Sequence, residues 1–217
     1  MYEQLKRDIA DFKLVPGDRF SENEVGERLA VSRTPVRQAL TRLQQEGYVE
    51  VLFRSGWRVL PFDFAQFEAL YDLRMILETT AAHRICEDGR RVDRDLLQEL
   101  IAFWLVPASG RSADMAEVSR RDEEFHCKLV AAAGNPEMAR VHRDVTERIR
   151  IIRRLDFTKA ARIDATYDEH AKILRALQRG RGDQAAMLLR AHIETSQAEV
   201  RKITLHQVHL AREGARI

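Results

Sequence analysis

"ERLAVSRTPVRQALTRLQQEGYVEV", residues 27–51, places four arginines within 15 residues and no acidic residue between Arg28 and Gln45. Its phasing is helical. Val36, Leu40 and Leu43 share one stripe, with Leu29 and Val31 ahead of them, and this stripe is expected to pack inward. Arg33, Thr34, Arg37 and Gln38 gather on the opposite side of the first turn. Ser32 can cap the helix, Pro35 sits where a missing N–H costs little, and Gly47 ends it, so a helix is predicted over Thr34–Glu46. Ordinary solvated helix faces carry charge runs too. The arginines alone therefore leave a plain helical domain level with a nucleic-acid reader.

The flanks separate the two readings. Upstream, a helix is predicted over Tyr2–Phe12 with Leu5 and Ile9 inward, then a Pro16-Gly17 turn. Ser21 and Glu24 have capping-box spacing for a helix reaching Leu29. Downstream, "YVEVLFRSGWRVLP" gives two alternating runs around Arg54-Ser55-Gly56, a hairpin signal. Three helices followed by a two-stranded wing make a winged helix-turn-helix over residues 1–61. In such a domain the first turn of the third helix enters the major groove, where arginines reach guanine edges or phosphates. Its N-terminal N–H groups favour a phosphate as well. Arg42, Arg54 and Arg58 extend the positive face.

The blocks "PGDRF", "VSRTPVRQAL" and "EGYV" resemble the DNA-binding domain of GntR-type bacterial transcription regulators over about the first 60 residues. The resemblance implies operator contacts from Arg33, Thr34 and Arg37, and a wing tip at Ser55-Gly56 approaching the minor groove. Asn23 stands where several relatives place a base-reading arginine, which bears on base preference rather than on DNA binding.

Composition agrees with a local rather than a global nucleic-acid signal. The 217 residues carry a net charge of +2, a sequence pI near 8.6 and 45% apolar residues. No run approaches the roughly 18 apolar residues of a membrane span. The first residues read as a charged amphipathic helix rather than a signal peptide. Cys86 and Cys127 sit inside helical patterns and build no disulfide framework, which suits a reducing cytoplasm.

From residue 62 to 217 the pattern is of long helices with few breaks: Phe64–Cys86, Asp93–Leu105, Ala113–Ala133, Pro136–Leu155, Ala160–Arg179 and Asp183–His206. Asp93, Ser112, Asn135 and Asp183 are the expected N-caps. The whole chain thus reads as mainly α, a winged helix-turn-helix followed by an all-helical bundle of about six helices.

Several histidines punctuate this bundle, enough for coincidence, so spacing must discriminate. Asp122 and His126 are four apart and project from one helix face. His170 and His192 are equidistant from residue 181, inside the tight turn "GRGD", so two antiparallel helices joined there place them at one height. Two imidazoles alone in a core would be poorly satisfied. With the Asp122–His126 face they form a set of three nitrogens and one oxygen, suited to zinc first, and also to nickel, manganese or iron. Separate core or surface histidines remain the competing reading on spacing. His206 and His209 are a second possible chelate in a polar tail, and His83 and His142 have no evident partner.

This region resembles the helical FCD ligand-binding domain found in the FadR-like branch of the same regulators. The resemblance implies a divalent metal on Asp122, His126, His170 and His192, and a small organic acid effector at the metal. It also places Arg74 at a position that often binds the effector carboxylate; a surface salt bridge to Glu78 is the alternative. Arg150 is a weaker candidate for that role, and Glu123 and Glu124 flank the metal pair. A homodimer on a palindromic operator is implied too. An H-E-x-x-H or comparable catalytic signature is absent, and a reader domain has no use in a hydrolase, so no enzyme is expected.

Overall fold

In a computed structural model the described residues are 1–11, 13–61, 63–87, 91–156 and 160–200. Among them, Met1–Asp63 belongs to one compact unit and Phe64–Val200 to the other.

The first unit holds helices α1 (Tyr2–Ala10), α2 (Glu22–Leu29) and α3 (Arg33–Gln45) with strands β1 (Arg19–Phe20), β2 (Val49–Leu52) and β3 (Gly56–Val59). α1 stops earlier than its pattern predicts, with Asp11 as its C-cap; Phe12 lies outside the described residues. The Ser21–Glu24 capping box is present in full. Ser32 occupies the N-cap of α3 without a side-chain hydrogen bond. Leu5, Ile9, Val36, Leu40 and Leu43 are fully or almost fully buried, and together they join α1 to α3. Val31 departs from its expected inward place. It is 38% exposed because it belongs to the turn that folds back on α2, where its N–H bonds Gly26 O.

The sheet also has one strand more than expected, in the order β1-β3-β2. Arg19 pairs with Arg58 and Phe20 with Trp57, a two-residue ladder too short for an alternating pattern to reveal. This pairing gives Gly56 a structural duty. At φ +80 it lets β3 lie against β1, where a Cβ would meet Phe20 O at 2.5 Å.

The second unit is built from α4 (Phe64–Glu87), α5 (Arg94–Trp104), α6 (Met115–Ala132), α7 (Pro136–Asp156), α8 (Ala160–Gln178) and α9 (Gly182–Val200). A 3-10 turn at Ala108–Gly110 separates α5 from α6. α4 lies against α6, α7, α8 and α9. It buries Phe67, Leu70, Tyr71, Arg74, Met75, Glu78, Ala81, Ala82 and Ile85, a 3.6-residue repeat in which the alanines admit close helix approach. Around Trp104, Phe125, Leu129, Tyr167 and Leu174 the remaining helices close an apolar core.

Caps explain the helix starts. Asp93 accepts from the N–H groups of Asp95 and Leu96, and Asn135 from those of Glu137 and Met138, as the sequence leads one to expect. Asp114, not Ser112, caps α6; Ser112 instead accepts from Asp114 N and donates to Glu117. Asp183 lies inside the first turn of α9, where its charge still favours the helix dipole. The expected continuation of α9 to His206, and with it His209, lies outside the described residues. Among those described, no helix is long and apolar enough to cross a membrane.

Candidate functional site

In the first unit, α3 presents Arg33, Thr34, Arg37 and Gln38 to solvent, and Arg54 and Ser55 at the hairpin tip are exposed. Gly56 is half-buried behind them. The arginines of the opening stretch divide into two pairs. Arg28 bonds the buried Asp8 at 2.7 Å, and Arg42 lies 3.7 Å over the Tyr2 ring while bonding Glu46, so both brace the helices. Arg33 stays outward. Arg37 is held bidentate by Glu22, both bonds at 2.8 Å, and Glu22 also accepts from the Trp57 indole at 3.4 Å. The pair with Arg37 is the main reason the Glu22 carboxyl lies below its ordinary value. Arg58 pairs across the sheet with Glu50.

In the second unit, one ligand atom from each of Asp122, His126, His170 and His192 falls within 4.8 Å of all the others, and all four residues are buried. Three helices, α6, α8 and α9, supply them. The Nε2 atoms of His126 and His192 are 3.2 Å apart. Asp122 Oδ1 lies 3.3, 3.6 and 3.9 Å from the Nε2 atoms of His170, His126 and His192. A cation bound at about 2.0–2.1 Å from each donor would set neighbouring donors about 3.0–3.4 Å apart; the 3.2 and 3.3 Å separations match this, and the 3.6 and 3.9 Å ones are somewhat longer. The fit is reinforced by what is unsatisfied. Asp122 Oδ1 and both ring nitrogens of His170 have no aligned hydrogen-bond partner. A buried polar atom left so costs about 1–3 kcal/mol, a cost that coordination would remove.

Surrounding groups fix the rings. Glu78 Oε2 accepts from His126 Nδ1 and Glu169 Oε2 from His192 Nδ1, each at 2.6 Å. With the proton held at Nδ1, each Nε2 lone pair faces the cluster, the arrangement that serves metal ligands. His170 is held by packing instead, its ring parallel to Phe125 at 3.7 Å and edge-on to Trp104 at 4.3 Å. Burial pushes His170 well below the usual histidine range and His192 down to about 4, outweighing the pull of Asp122 and Glu169. Burial favours protonation of Asp122, yet Arg153, aided by His126 and His170, holds its carboxyl well below the ordinary range. Arg153 Nη2 makes a very short contact to Asp122 Oδ2, so that oxygen is engaged and Oδ1 alone is offered to the cluster.

Arg74 is fully buried rather than on the surface. Its Nε donates to Glu78 Oε1 at 2.6 Å, while Nη1 and Nη2 have no partner. Arg150 directs its bonds to Glu123 and is a third exposed. Glu124 turns to Arg120 and Arg121. His142, without an evident partner in the sequence, donates to Glu78 Oε1 at 3.0 Å, and His83 sits near Asp183 at 3.7 Å. Sequence reasoning missed Arg153, Glu169 and the hub role of Glu78. Arg153 had a signal, since it continues the inward row Thr146–Ile149 of α7 by one more turn.

A winged helix-turn-helix joined to a helical bundle with a buried histidine–aspartate cluster defines a class of two-domain DNA-binding regulator. Comparison with known proteins narrows this. Residues 1–59 match the gntR family of bacterial regulatory proteins and residues 69–195 match the FCD domain. The Nta operon transcriptional regulator of Aminobacter aminovorans is 32% identical over 179 residues, covering 82% of each chain. The Escherichia coli transcriptional repressor RspR is 24% identical, over 94% of this chain and 88% of its own. A GntR regulator from Rhodococcus sp. RHA1 shares the fold, with TM-score 0.74 at 22% identity over 94% of this chain and 96% of its own. The chain belongs to the GntR family of DNA-binding transcription regulators, in the branch that carries an FCD domain.

Proposed function

We propose that this regulator senses a small carboxylic acid through a divalent metal held by Asp122, His126, His170 and His192. The convergence of four buried ligand atoms, with Asp122 Oδ1 and His170 otherwise unsatisfied, is the observation that carries the reading. Zinc is the first choice for this donor set, with nickel, manganese and iron also suited. When bound, such an ion supplies open positions for hard oxygen donors. Asp122 contributes one oxygen because Arg153 engages the other, so a six-coordinate ion keeps two positions for an acid.

Arg33, Thr34, Arg37 and Gln38, with the hairpin tip Arg54-Ser55-Gly56, form the operator face; Arg42 supports it from behind. The working unit is a cytoplasmic homodimer on a palindromic operator, since two-fold protein symmetry matches two half-sites. Leu73 and Ile76, exposed one turn apart on α4, offer an apolar strip to a second copy. The acid shifts the balance between DNA-competent and incompetent dimers by binding one of them more tightly. A purely structural ion is the second reading, favoured by the complete burial of the ligands. Against it stand the partnerless guanidinium nitrogens of Arg74 and Arg153, which a structural site does not need.

His170→Ala together with His192→Ala abolishes stoichiometric metal in the purified protein, as read by elemental analysis; an unaltered metal content overturns the assignment. Calorimetry with carboxylates before and after chelation separates the two readings. Binding that requires the metal supports sensing, and metal without any acid binding leaves only the structural ion.

A further inference from the structure

The charged groups buried beside the metal cluster balance one another. Among the described residues of the second unit, the buried carboxylates and guanidinium groups are Glu78, Asp122, Arg74 and Arg153, two of each sign. Metal-bound imidazoles are neutral. A divalent cation therefore leaves two positive charges uncompensated in a dry interior, where an unpaired charge is very costly. One monocarboxylate would cancel half of that excess.

Donor positions point the same way. Arg74 offers Nη1 and Nη2 and Arg153 offers Nη1, three guanidinium donors that are buried and without a partner. Both side chains converge on the same neighbours. Arg74 bonds Glu78 and lies 5.7 Å from the Tyr71 ring, and Glu78 and Tyr71 are within electrostatic reach of Arg153. Tyr71 in turn bonds Ser196, one turn beyond His192. The unused donors thus border the cluster on its α4–α7 side, outside the set of metal ligands. A planar fork of N–H donors matches a carboxylate.

We infer that the effector is a small dicarboxylic acid, one carboxylate at the metal and the second on the free guanidinium nitrogens of Arg153 and Arg74. This rests on the metal-and-acid reading above. It adds Arg153, which holds Asp122 with one nitrogen and the acid with the other.

Titration calorimetry of the metal-loaded full-length protein tests it, with acids matched in pairs: lactate with malate, propionate with succinate, butyrate with glutarate. The dicarboxylate of at least one pair binds about tenfold tighter or more, the weight of one further charge-assisted hydrogen bond. Arg153→Lys keeps the charge but replaces the planar two-nitrogen fork by a single nitrogen. It narrows that gap while metal content stays stoichiometric. Equal affinities within every pair overturn the dicarboxylate inference and leave acid sensing in place. A gap unmoved in Arg153→Lys removes Arg153 from the site. Absence of binding by every acid overturns both the inference and the reading beneath it.

Discussion

Four arginines in one stretch look alike as letters and do different things. All four are exposed, but Arg28 and Arg42 are tied to Asp8, Tyr2 and Glu46, whereas Arg33 and Arg37 stand at the start of α3. The difference arises because α1 packs across one flank of α3 only. Arg37→Ala is expected to weaken operator binding by about 1–3 kcal/mol if it reads a guanine edge. Arg42→Ala is expected to lower the melting temperature and leave base preference unchanged, because its cation–π contact with Tyr2 ties α3 to α1. Gel-shift titrations on single-base operator variants, alongside thermal melts, distinguish the two effects; unchanged operator affinity for Arg37→Ala counts against the placement of α3 in the groove.

Elements were legible where periodicity was long and hidden where it was short. The long helices of the bundle follow their apolar stripes and caps, but β1 has two residues and takes its identity only from pairing with β3. The cap of α6 passed from Ser112 to Asp114 because both stand near the helix start and geometry alone chooses between them. A turn makes the sharpest test at this level. Gly134, after α6, has φ +71, and a Cβ there would fall 2.1 Å from Arg91 O. Gly134→Ala is therefore expected to destabilise the bundle by more than about 1 kcal/mol, read by thermal denaturation; a neutral result would mean that the loop before α5 has room to move.

Across the whole protein, the buried rings set the response to acid. His142, His170 and His192 are lowered from their ordinary values chiefly by burial, His192 to about 4. In the unfolded chain they take up protons from about pH 6.5 downward, while the folded protein resists. The unfolded state then binds more protons, so stability falls as pH drops below about 6.5, with the His192 share levelling near 4. Asp122 and Glu78, held well below the carboxylate range, keep their contribution to lower pH still. Melting temperatures of chelator-treated protein are expected to be steady above pH 7 and to decline from pH 6.5 to 4. Saturating divalent metal should raise them at neutral pH by binding the folded state alone. A flat profile between pH 7 and 5 would contradict neutral burial of the three rings.

The amino-acid sequence by itself determined the class: a winged reader from the phasing of Thr34–Glu46 and the hairpin after Gly47, and a helical bundle from its long stripes; spacing alone left the convergence of Asp122, His126, His170 and His192 open beside separate histidines, and the family resemblance pointed to it. Helical period and turn position are local properties, so they can be read from a single chain. Only the tertiary structure decided which charges are buried. Arg153 and Arg150 are three residues apart on α7, yet one lies against Asp122 and the other leans out to Glu123. Burial is a relation between helices distant in sequence, and it is burial that sets Arg153 against Asp122 with its Nη1 unpartnered.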